Sequence, residues 1–228
     1  MTAHASAVPG SHALEIATRS GAVVVWARSI ERPEVVAGDA QIDPDGRVHA
    51  RGSGRVEIAC PEGTDVIIGS SSGRIECHGR LGRVAVTGHS GRISIEEAEA
   101  VEIRSSSGRV TVARCSGACR VAVQSSSVDI GEAGSVDVTL ASGHLEVAGC
   151  TGARVRSGSG RVELGLAAEG SVDVSTVSGR VSVSVPAGVA PDLQLSSRSG
   201  RVVTDVASGT DGTVAIETSS GRITVSQA

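Results

Sequence analysis

The sequence predicts an all-β protein: a parallel β-solenoid (β-helix) of about nine coils, roughly 19 residues each, with an irregular N-terminal β cap. Three observations carry that reading. A glycine recurs about every nine residues, and every second one sits in a Ser-Gly-Arg triplet followed by alternating Val or Ile. A fixed internal period is the signature of stacked repeats, each of which buries its apolar face on its neighbours. The chain also has no Phe or Tyr and a single Trp, which suits a narrow aliphatic interior.

Residues 1–12 read as a flexible start. Residues 13–45 break the period, with an apolar run from Ala22 to Ala27 that holds Trp26 and an acidic turn at Asp43-Pro44-Asp45-Gly46. A solenoid needs an atypical first coil to cover its open end, so this segment is expected to be an N-terminal cap and 46–228 the repeat domain.

The strong copies start at Gly54, Gly73, Gly91, Gly108, Gly143, Gly160, Gly179, Gly200 and Gly221, each preceded by Ser and all but Gly143 followed by Arg. A degenerate copy at Ser127-Val128 places Val128 where the glycine is expected. Weaker copies at Gly63, Gly82, Gly117, Gly134, Gly152, Gly170, Gly188 and Gly212 give each coil a second arm. Both arms alternate, as in Arg74-Ile75-Glu76-Cys77 and Val172-Asp173-Val174, the period of a strand with one face buried. Glycine fits the corners because it tolerates positive φ and close backbone approach, and the serine before it can bond to the turn.

Composition narrows the function. All 21 basic residues are Arg; Lys and Asn are absent with Phe and Tyr, the pattern of a GC-rich bacterial genome. A net charge of −4 and the lack of aromatic stacking surfaces argue against nucleic acid. No apolar stretch is long enough to span a membrane, and the start lacks a signal-peptide pattern, so a cytoplasmic protein is expected. Five irregularly spaced cysteines fit that compartment. Cys60, Cys77 and Cys119 fall on inward positions, whereas Cys115 and Cys150 lie near turns and are expected to be more accessible.

Motifs for catalysis or metal are weak. Gly69-Ser70-Ser71-Ser72-Gly73 matches the G-x-S-x-G nucleophile elbow in letters, but it lies within the repeat, with no helix expected after it. Cys77-His78 with His89, and Cys115 with Cys119, lack paired ligand spacing and a third and fourth ligand. The repeat also lacks the corner Asp of calcium β-rolls. No cofactor, metal or catalytic residue is therefore expected.

The arginines are the candidate site. Arg55, Arg74, Arg92, Arg109, Arg161, Arg180, Arg201 and Arg222 share one repeat position and in register would form a column with a spacing of about 4.8 Å. Such a column can hold an anionic polymer or surface, since the guanidinium fork matches carboxylate and phosphate. The competing reading is a solvated ladder neutralised by Glu57, Glu76, Glu146 and Glu163 two residues on, which the net negative charge favours.

The run from Cys60 to Val66 followed by Ser-Ser-Ser-Gly-Arg-Ile-Glu, and the phrase Val-Ser-Val-Pro-Ala-Gly-Val-Ala-Pro-Asp-Leu-Gln-Leu-Ser-Ser-Arg-Ser-Gly-Arg-Val at 183–202, resemble the bacterial putative-adhesin family of β-strand-repeat domains. The resemblance covers about residues 20–226 and implies an extended β-solenoid of unknown function, with no catalytic residues to carry over. Where this family more usually has an acidic residue after Ser-Gly, the chain has Arg.

The expected function is a non-enzymatic binding or scaffolding surface for an unknown protein or an anionic polymer. One alternative is a self-assembling structural protein, a homodimer formed through an uncovered last coil at Arg222 to Val225. Another is a polysaccharide-active enzyme, for which the aromatic platforms and paired carboxylates are wanting.

Overall fold

A computed structural model describes residues 13–50 and 54–228; the start expected to be flexible, 1–12, lies outside them. The described residues are all-β. Strands β1 (Leu14–Thr18), β2 (Ala22–Arg28), β3 (Glu34–Ala37), β4 (Ala40–Ile42), β5 (Arg47–Ala50) and β6 (Val56–Pro61) precede β7 (Val66–Val185), β8 (Asp192–Thr204) and β9 (Gly212–Gln227). Strand β7 is 120 residues long. Drawn out straight it would measure about 400 Å; instead it winds back over itself.

The winding is visible at the glycines. A Cβ added to Gly91 would lie 1.9 Å from the carbonyl oxygen of Gly73, one added to Gly108 1.9 Å from that of Gly91, and one added to Gly160 2.0 Å from that of Gly143. Gly91 also has φ of 144° and Gly160 of 130°, so backbone lies on backbone where no L side chain fits.

Aliphatic side chains at equivalent phases then meet inside. Ile75, Ile93, Val110, Val128, Leu145, Val162 and Val181 are all buried in one continuous cluster, as are Cys77, Ile95, Val112, Ile130, Val147, Leu164 and Val183. Each contributes at most about 1.5–3 kcal/mol through burial, so stability accumulates along the stack.

Several expectations need correction. The sheet is mixed rather than wholly parallel: β1, β2, β7, β8 and β9 make parallel pairs, while β3 runs antiparallel to β6 and β4 antiparallel to β5. Residues 14–28, expected in the cap, form an inner layer: β1 lies between β5 and β7, and β2 between β6 and β7. Val24 explains this placement. It points outward yet is only 1% exposed, because Glu57 and Glu76 flank it in register on both sides. The edge is covered instead by β3 and β4. The acidic turn joins β4 to β5, with Asp43 Oδ1 accepting the backbone N–H of Asp45 at 3.0 Å and of Arg47 at 2.9 Å.

The far end is also out of chain order. Strand β9 pairs in parallel with the last stretch of β7 on one side and with β8 on the other. Arg222 to Val225, expected to be the uncovered edge, is therefore an inner layer, with Ile223 and Val225 buried. Strand β8 is the outer one, and its Val202 and Val203 are 41% and 46% exposed.

The degenerate copy has a different register from that expected. Gly143 lies on Ser126, so Ser126 takes the glycine site, Ser127 the arginine site and Val128 the first inward position, where it is fully buried.

Candidate functional site: the arginine column

Outward residues two apart on one strand point the same way, so an Arg after the corner glycine and an acid two residues on can meet. Four coils use this geometry. Arg55 Nε lies 2.7 Å from Glu57 Oε1, Arg74 Nη1 3.5 Å from Glu76 Oε1, Arg161 Nε 3.7 Å from Glu163 Oε1, and His144 Nε2 3.6 Å from Glu146 Oε2. The three arginine pairs are exposed or half-buried, each worth about 1 kcal/mol or less.

The remaining arginines have a different neighbour. Two residues on from Arg92, Arg109, Arg180, Arg222 and Arg201 stand Ser94, Thr111, Ser182, Thr224 and Val203. Among the described residues, no carboxylate lies within ion-pairing distance of these five. The expected ladder is thus neutralised at Arg55, Arg74 and Arg161 and open elsewhere.

The column is also not continuous. Ala22 is in register with Arg74, one place before the Val23–Val56 pair, so an alanine separates Arg55 from Arg74. Ser127 and His144 interrupt it between Arg109 and Arg161. At the far end it is unbroken, because Arg222 is in register with Arg180 on one side and Arg201 on the other. Neighbouring positions add hydroxyls in the same register, Ser178, Ser220 and Ser199 before the glycines and Ser182 with Thr224 after them.

Other sequence candidates resolve simply. In the serine triplets the hydroxyl that bonds the corner is the one three places before the glycine: Ser70 donates to the Ser72 carbonyl at 3.4 Å and Ser105 to that of Ser107 at 3.2 Å. No helix follows the Gly69–Gly73 match. Cys77 is buried while His78 faces out, its ring stacked on Trp26 with centroids 4.2 Å apart, so the two do not converge.

All five cysteines are buried and unpaired, which corrects the expected accessibility of Cys115 and Cys150. Burial pushes Cys60 and Cys150 up to about 11 and Cys77 up to about 12. A hydrogen bond from the Cys119 thiol draws Cys115 down to about 7, and the same contact raises Cys119. The described surface carries open grooves. One, of about 300 Å³, is bordered by Arg120, Asp137, Arg154 and Asp173, charges of both signs.

Against known proteins, the profile described as Toastrack DUF4097 matches residues 47–226, most of the chain. The chain belongs to the Toastrack DUF4097 family. The resemblance drawn from the Ser-Gly and Pro-Gly phrases is thereby upheld, and it brings no activity with it. No curated protein matches this Toastrack chain. Among solved structures it is similar to the crystal structure of a putative cell adhesion protein from Clostridium sporogenes ATCC 15579, at 11% identity, with 95% of this chain and 92% of that one covered and a TM-score of 0.22. A TM-score that low does not imply a shared topology.

Proposed function

We propose that this Toastrack chain is a non-enzymatic β-solenoid of about nine Ser-Gly coils, with the β1–β2 layer added, that works as a binding or scaffolding surface inside a bacterial cell. Its ligand is an anionic polymer or an acidic protein surface, and the contact is the run Arg180, Arg222, Arg201. The single observation that carries this is their exposed, in-register arrangement with Ser182, Thr224 and Val203 where other coils supply glutamate.

Three guanidiniums on adjacent strands repel one another by about 1 kcal/mol per neighbouring pair even in a water-like dielectric. An anion lying along them relieves that repulsion and gains forked hydrogen bonds. Buried, unpaired thiols support a reducing compartment.

The test is retention on a sulfated or phosphorylated polymer at low salt. The triple variant Arg180→Glu, Arg222→Glu, Arg201→Glu is expected to lose binding, and the triple variant Arg55→Glu, Arg74→Glu, Arg161→Glu to keep most of it. Equal loss in both, or no binding by the unaltered chain, sinks the reading.

A second reading rests on β8. Its far edge is unpaired among the described residues, with Val202 and Val203 exposed, and an open strand edge invites pairing with another copy. Self-association that weakens on Val203→Arg, measured by light scattering, would favour it.

A further inference from the structure

We propose that Asp129, His144 and Glu146 form a site for one divalent transition cation, with Zn²⁺ as the type. One atom from each of the three, two carboxylate oxygens and an imidazole nitrogen, lie within 4.8 Å of one another. Two residues of the set are already close to coordination spacing. His144 Nε2 and Glu146 Oε2 are 3.6 Å apart, against about 3.4 Å between ligand atoms at the corners of a tetrahedral zinc centre with bonds near 2.0–2.1 Å. Rotation of the half-exposed Asp129 carboxylate closes the third side.

The repeat shows why this place differs from every other. Gly143 lies on Ser126 and Gly160 on Gly143, a step of 17 residues in each case. The same step stacks Glu146 on Asp129 and Glu163 on Glu146, so three carboxylates follow one another up the outer face. Glu163 is held by Arg161 at 3.7 Å. Asp129 and Glu146 have no arginine of their own, because their two coils carry Ser127 and His144 at the arginine position. Coils that depart from the pattern elsewhere do the reverse: those of Arg92, Arg109 and Arg180 keep the arginine and lose the acid.

Two stacked carboxylates repel, and a dication bound by both and by a neutral imidazole balances them to zero net charge. The mixed nitrogen and oxygen set selects a borderline metal over Ca²⁺ or Mg²⁺, which take oxygen ligands. Three protein ligands leave coordination positions open to solvent, the composition of an open zinc site.

The test uses the full chain, with any affinity tag removed and metal stripped by chelator, titrated calorimetrically with Zn²⁺ and with Ca²⁺, and melted with and without Zn²⁺. The expected result is one equivalent of Zn²⁺ bound, a raised melting temperature, and weak or no Ca²⁺ binding. His144→Arg, which restores the repeat residue, and Asp129→Ser are each expected to weaken Zn²⁺ more than about a hundredfold, beyond the loss seen for outer-shell partners. Cys115→Ala with Cys119→Ala, which tests the thiols as rival ligands, is expected to leave it unchanged. No saturable Zn²⁺ binding by the unaltered chain, undiminished binding by correctly folded His144→Arg, equal affinity for Ca²⁺, or loss with the cysteine variant overturns the proposal.

Discussion

Arg222 lies in register beside Arg180, although the whole of β8 comes between them in the chain. The last strand is wedged into the stack and its predecessor is displaced to the outside. Amide hydrogen exchange should therefore run against chain order. Residues of β9 such as Val214, Ile216 and Ile223, paired on both sides, are expected to exchange slowly, and β8 residues 193–203 faster. Equal protection in both strands, read by exchange mass spectrometry, would contradict the observed layer order.

The glycine column should be intolerant of even one methyl group. Gly91→Ala or Gly160→Ala places a Cβ about 2 Å from a carbonyl oxygen of the layer below at a φ that alanine avoids, and each is expected to cost at least about 3 kcal/mol or to prevent folding. Gly149→Ala, whose nearest neighbour would be the Ala167 Cβ at 3.8 Å, should change stability by no more than about 0.5 kcal/mol. Denaturant titration of the three variants separates the two classes.

Buried thiols set the alkaline limit. The chain has neither Lys nor Tyr, so between about pH 9 and 11 cysteine is its main titrating side chain. Cys60, Cys77 and Cys150 have folded pKa values raised from 9.0 to about 11, 12 and 11. Below pH 9 these thiols are protonated in both states and cost nothing. Above it the unfolded chain releases protons that the folded chain keeps, so stability falls as pH rises, by up to about 4 kcal/mol per pH unit for the three together. Cys119, raised by its contact with Cys115, adds to this fall, while Cys115, lowered by the same contact, acts oppositely and only below about pH 9. Thermal melts in reductant at pH 8.5 and 10.5 check this, and the triple alanine variant of Cys60, Cys77 and Cys150 should flatten the drop.

Thiol counting gives a related check. A water-soluble aromatic disulfide reagent is expected to find almost none of the five cysteines in the native chain and all of them in denaturant. Rapid native labelling of Cys150 or Cys115 would mean that their strands open.

Core truncation should scale with burial. Leu145→Ala, fully buried, is expected to cost about 2–5 kcal/mol, whereas Ile67→Ala, 44% exposed, should cost far less.

Alternation around Ile75, Cys77, Val84 and Val86 was legible in the sequence because a strand with one buried face has no other way to be written. Layer order was not. Strands β8 and β9 both carry Ser-Gly-Arg followed by aliphatics, so either fits either slot, and only the fuller burial of Ile216, Ile223 and Val225 distinguishes the inner one. The same ambiguity hid the register at Ser126, where serine occupies a glycine site next to two further serines and leaves its hydroxyl buried without a partner. The Asp129, His144 and Glu146 cluster joins two coils, so no local motif announces it. Its trace was His144, the one residue after a strong Ser-Gly that is not arginine.

The wedge at the far end has a consequence for a nascent chain. Vectorial synthesis delivers β8 from the ribosome before β9, so the earlier strand waits without its partner until residues 212–227 have been made. A chain halted by a stalled ribosome between Thr204 and Gly212 would trail a loose, valine-bearing tail, which marks it as unfinished to any protease that samples extended polypeptide.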